Sequence, residues 1–137
     1  MEIFLSILMI STLVGSTNKK NHAAGATSNP FQNVFAYGDG QFLGDTSNTS
    51  INFPIVGMAS TPDGKGYWLV ASDGGIFSYG DAAFFGSTGA MTLNKPIVGM
   101  ASTPDGKGYW LVASDGGIFS YGDAAFFGST GAMTLNK

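Results

Sequence analysis

The side chains best equipped for chemistry in this sequence are its aspartates, because they return at fixed places. Asp63, Asp73 and Asp81 recur as Asp105, Asp115 and Asp123, each beside a glycine. Paired carboxylates can move a proton between them or gather around calcium. A calcium loop needs closely spaced oxygen ligands, however, and these Asp-Gly pairs stand apart, so turn formation is their expected role. A glycosidase-like pair would have to form between repeated units. Serine chemistry meets a similar obstacle. Gly75-Ile76-Phe77-Ser78-Tyr79-Gly80 misses the G-x-S-x-G spacing by one residue, and the repeats hold no histidine to act as base. A Ser–Lys dyad through Lys65 needs a shielded lysine, whereas Lys65 lies between two glycines in a turn. Gly64-Lys65-Gly66 lacks the upstream glycine and Ser/Thr of a P-loop, and Gly38-Asp39-Gly40 lacks the spacing of a dinucleotide fingerprint. The single histidine, His22, has no neighbour to orient it as a ligand or base. The sequence therefore predicts no catalytic residue, no metal and no cofactor.

Aromatic side chains carry the remaining functional signal. Tyr67, Trp68, Phe77, Tyr79, Phe84 and Phe85 recur as Tyr109, Trp110, Phe119, Tyr121, Phe126 and Phe127. Rings among small polar groups can stack on sugars, and Tyr67, Trp68, Tyr109 and Trp110 are the candidate ligand-stacking residues. The competing role is packing between units, which apolar neighbours on both sides already demand.

The elements that must position these rings follow from a repeat. Pro54 to Lys95 recurs unchanged from Pro96 to Lys137, a period of 42 residues, and Phe35-Ala36-Tyr37-Gly38-Asp39 matches Phe77 to Asp81 at the same offset. Within a unit, four short strands are expected: Ile55 to Ser60, Tyr67 to Ser72, Ile76 to Tyr79 and Ala83 to Gly86. Thr61-Pro62-Asp63-Gly64 reads as the first turn, and Asp73-Gly74 as a two-residue hairpin turn. In Tyr67-Trp68-Leu69-Val70-Ala71 both alternate sets of side chains are apolar, so the sheet needs a neighbour on each face. An all-β fold of four-stranded antiparallel blades meets that need, as a partial β-propeller of about two and a half blades. A β-helix is the second choice, because its coils are usually shorter and lack an Asp-Gly hairpin.

The string GMASTPDGKGYWLVASDGGIFSYGDAAFFGS resembles the tandem repeat of secreted, mostly actinobacterial, β-propeller-like proteins. More distantly, the PDG turn and YWLV strand are similar to NHL-type blades. The resemblance covers Phe35 to Lys137. It implies a propeller fold and an extracellular setting, in arrays often found beside hydrolase or peptidase domains or a cell-wall attachment region. It implies no shared catalytic residues.

Composition narrows the function classes. The 137-residue chain has a net charge of −3 and no arginine, which argues against a nucleic-acid surface. Cysteine is absent, so disulfides and thiolate zinc sites are excluded. Residues 1–16 contain an apolar run, Ile3 to Val14, too short to span a membrane and suited to a signal-peptide core. Val14-Gly15-Ser16 and Ala24-Gly25-Ala26 offer cleavage sites, although Glu2 replaces the usual positive start, which leaves an uncleaved leader as the alternative. Residues 17–33 read as a polar linker, 34–53 as a partial first blade, and 54–95 and 96–137 as full blades. Asn48-Thr49-Ser50 matches a glycosylation sequon, which matters only in a eukaryotic secretory route. An open blade face would expose on the order of several hundred Å² of apolar surface, so self-association or further blades are the expected partners. The expected function is a non-catalytic, secreted or cell-surface module that binds a glycan or a surface protein. The alternatives are an accessory part of a secreted hydrolase or peptidase, or a truncated gene product.

Overall fold

A computed structural model describes residues 7–11 and 33–136. The described residues are all-β, with no helix. Three antiparallel sheets follow one another along the chain. Strands β1 (Ile7–Ser11) and β2 (Asn33–Ala36) form a two-stranded pair. Strands β3 (Ile55–Ser60), β4 (Gly66–Ala71) and β5 (Ile76–Gly80) form a three-stranded meander. Its repeat consists of β6 (Ile97–Ser102), β7 (Gly108–Ala113) and β8 (Ile118–Gly122). Among the described residues the sheets do not close on one another into a ring.

Turn chemistry sets the meander. The Gly64 N–H donates to the Thr61 carbonyl at 3.0 Å, and the Asp63 carboxylate accepts the Lys65 N–H at 3.0 Å. The second connection differs from the expected two-residue hairpin. Gly74 N–H bonds the Ala71 carbonyl and Ala71 N–H bonds the Gly75 carbonyl, so Ser72, Asp73 and Gly74 form a three-residue loop. Gly74 supplies the left-handed conformation at φ 84°, which a type I turn followed by a bulge requires.

The four-stranded unit is corrected to three strands. Ala83–Gly86 pairs with no strand, because its polar groups are committed elsewhere. Its Ala83 carbonyl accepts the Trp68 indole N–H at 2.6 Å, and Phe85 and Gly86 bond to the next unit.

The strongest strand, β4, is buried along its whole length, and both of its faces lie in cores. Tyr67, Leu69 and Ala71 pack with Val34, Phe42 and Leu43 from the preceding segment. Trp68 and Val70 pack instead with Ile97, Tyr109 and Leu111 of the following unit. The first strands of the two units also meet. A Cβ on Gly57 would lie 3.3 Å from the Gly99 Cα, and the Ser102 hydroxyl donates to the Ser60 carbonyl at 3.2 Å.

Residues 33–53 repeat the second half of a unit. β2 occupies the position of β5, and β1, from the segment read as an apolar leader, pairs beside it. The cleavage positions, His22 and most of the linker lie outside the described residues. Among the described residues no helix is long and apolar enough to cross a membrane.

Candidate binding surface

Asp63, Asp73, Asp105 and Asp115 each accept a backbone N–H, whereas Asp81 accepts the Thr61 hydroxyl at 3.1 Å. Asp73 accepts the Gly75 N–H at 2.9 Å, Asp115 the Gly117 N–H at 3.0 Å and Asp105 the Lys107 N–H at 3.1 Å. The Lys65 backbone N–H, then the Thr61 hydroxyl, hold the Asp63 carboxyl below its ordinary value. For Asp105 the order is the Thr103 hydroxyl, then the Lys107 N–H. Hydrogen bonds to the charged form account for both directions. No group of three or more potential metal ligands exists among the described residues. Ser78 and Ser120, the serines of the near-miss nucleophile motif, bury their hydroxyls with no hydrogen-bond partner among the described residues.

The four candidate stacking residues separate into two groups. Tyr67, Trp68 and Tyr109 are buried, with Trp68 at 0% exposure, and Trp110 alone reaches the surface in part. Two equal sequences thus have different surroundings, because the Trp68 face is covered by the next sheet and the Trp110 face is not.

The covered face is a joint built around one hydroxyl. Tyr109 Oη accepts the Phe85 N–H at 3.0 Å and donates to the Gly86 carbonyl at 2.7 Å. The same pair of bonds closes one unit earlier, where Tyr67 Oη accepts the Leu43 N–H at 3.0 Å and donates to the Gly44 carbonyl at 2.6 Å. A buried tyrosine needs such partners, so each unit supplies a loop that satisfies the tyrosine of the next. Rings fill the remaining space. Trp68 and Phe85 each meet Tyr109 edge to face at 5.6 Å between centroids. Gly86, at φ 136°, leaves room for the Tyr121 ring, whose edge would lie 2.5 Å from an added Cβ. Burial, followed by the charge of Asp45 and by Tyr67, pushes the Tyr79 phenol up to about 12. Burial is also the largest cause of the upward shifts at Tyr67, Tyr109 and Tyr121.

The same positions stay open to solvent in both units. Phe84 and Phe126 occupy equivalent positions and are each 61% exposed, so the stacking of units leaves them uncovered. Met91 and Met133 are likewise both exposed. The two Thr-Pro-Asp-Gly turns adjoin, since a Cβ on Gly106 would lie 2.6 Å from Pro62 Cδ. Sequence alone does not separate Phe84 from Phe85, because adjacent identical rings carry no mark of facing. The Tyr hydroxyl joint was foreshadowed more clearly, by a tyrosine in an otherwise apolar strand and by glycines at 44, 86 and 128 in step with the repeat.

No protein-family model matches the chain, and no curated protein matches it.

Proposed function

We propose that the chain is a non-catalytic array of propeller-type blades, secreted or held at the cell surface, that binds a glycan or a surface protein. The observation that carries the reading is the equal exposure of Phe84 and Phe126, 61% in each unit. Solvent-facing aromatics at one repeated position form equivalent contact points, and equivalent weak contacts gain from effective concentration when a ligand is itself repetitive. The absence of His, Cys and Arg from the repeats and the backbone hydrogen bonds that hold Asp63, Asp73, Asp105 and Asp115 support a binding role over an intrinsic active site. The resemblance to secreted repeat proteins supports the extracellular setting, and the stacking of sheets through both apolar faces supports blade architecture.

Sedimentation with insoluble peptidoglycan and with cellulose tests the binding half. The chain is expected to co-sediment with at least one of them. The double variant Phe84→Ala and Phe126→Ala is expected to bind about 10-fold less, the loss of about 1.4 kcal/mol, with an unchanged β spectrum. Sedimentation that the double variant leaves intact contradicts the assignment of these rings.

A further inference from the structure

The two full units have one sequence, and the internal joint therefore shows what the outer face of the last sheet is shaped to receive. On the covered face, Trp68 and Phe85 lie 6.4 Å apart at 44° and together hold Tyr109. On the open face, Trp110 and Phe127 hold nearly the same relation, 6.4 Å at 42°, with no tyrosine between them. Trp110 also donates its indole N–H to the Ala125 carbonyl at 2.7 Å, as Trp68 does to Ala83. The receiving half of the joint is thus already formed without its partner. Phe127, the counterpart of Phe85, is 84% exposed, and Val98 and Leu135 are exposed as well, whereas their counterparts Val56 and Leu93 pack against the covered core.

Gly128 marks the missing group. It keeps the positive φ of its counterparts, 123° against 131° at Gly44 and 136° at Gly86. At Gly44 and Gly86 that conformation admits a tyrosine ring of the next unit, whereas among the described residues nothing lies within 4 Å of the Gly128 Cβ position. We propose that this Trp110 face docks one further unit of the same repeat, whose tyrosine hydroxyl closes between the Phe127 N–H and the Gly128 carbonyl.

The partner is identified by chemistry. It is a sheet whose central strand presents tyrosine, then leucine two residues on, toward the joint, as Tyr109 and Leu111 do. A second copy of this chain has no such face free among its described residues. Its Tyr67 is held by Leu43 and Gly44, and its Tyr109 by Phe85 and Gly86. The inference concerns how units join and is independent of the ligand. Loss of glycan binding leaves it standing, and failure of docking leaves the binding role of the exposed Phe84 and Phe126 standing.

The test joins one more copy of residues 96–137 after Lys137 of the full chain. Acrylamide quenching is read from Trp110, with Trp68→Phe removing the other signal from the first two units and phenylalanine replacing the added tryptophan. The extended chain is expected to gain β signal in proportion to its added length, and Trp110 to become as shielded as Trp68. Phenylalanine in place of the added unit's counterpart of Tyr109 is expected to lower the denaturation midpoint. An added unit without β signal, or a Trp110 as accessible as before, overturns the proposal. So does a chain of the original length that hides Trp110 in a concentration-dependent dimer, since a second copy would then be the occupant.

Discussion

The hydroxyl of Tyr109 takes one hydrogen bond and gives one, and both partners lie in the preceding unit. That makes the protonation state of the buried phenols part of the stability of the joint. Burial raises the folded-state values of these tyrosines, to about 12 for Tyr79 against an ordinary 10.0. Between those two values the unfolded chain releases the proton more readily than the folded one, so folding stability falls as pH rises. The denaturation midpoint is expected to hold steady up to about pH 10, then drop as pH climbs through the folded values. An alkaline denaturation series checks this, and a flat profile through pH about 12 contradicts it. Glycine at the joint makes a second claim at this scale. Gly86→Ala meets both a positive φ and the Tyr121 ring, whereas Gly128→Ala meets the positive φ alone. Midpoints measured side by side should show Gly86→Ala the more destabilising by about 1–3 kcal/mol, a typical cost of overpacking. Equal losses would mean that the ring does not sit against Gly86.

At the scale of the strand, β4 and β7 form a control supplied by the protein itself. Their sequences are the same, yet β4 is buried throughout while Trp110 and Val112 of β7 are only partly so. Trp68→Ala is expected to cost about 3–5 kcal/mol, the range for emptying a core aromatic site. Trp110→Ala removes a ring that lacks a neighbouring sheet, and its loss should be clearly smaller in the same urea titration. The three strands of the unit were legible because runs of aromatic and β-branched residues end at Pro-Asp-Gly and Asp-Gly signals. The demand for neighbours on both faces was legible from the unbroken apolar run Tyr67 to Ala71. Ala83–Gly86 was misread as a fourth strand because a short apolar run pairs or caps according to where its carbonyls find donors. Here the donors are the Trp68 indole and the Tyr109 hydroxyl, and both arise from tertiary placement. The extra residue in the Ser72–Gly74 loop is a similar case, since an Asp-Gly pair suits either a two- or a three-residue connection.

Across the whole molecule, the described units form a series in which each loop clasps the tyrosine of the next sheet. The approach of the two sheets follows from small residues at the first strands, where Gly57 and Gly99 meet, and from rings at the second strands. The repeat sequence explains why the same joint forms twice, at Tyr67 and at Tyr109. It does not by itself say which of the four candidate stacking residues is accessible, because that depends on what covers each sheet. The most direct test labels the full chain with fluorotryptophan and follows its 2 tryptophans by fluorine NMR while a soluble paramagnetic agent is added. Trp68 is expected to give a protected resonance and Trp110 a strongly relaxed one, with Trp110→Phe providing the assignment. Equal relaxation of the two resonances would contradict the stacked joint on which this account rests.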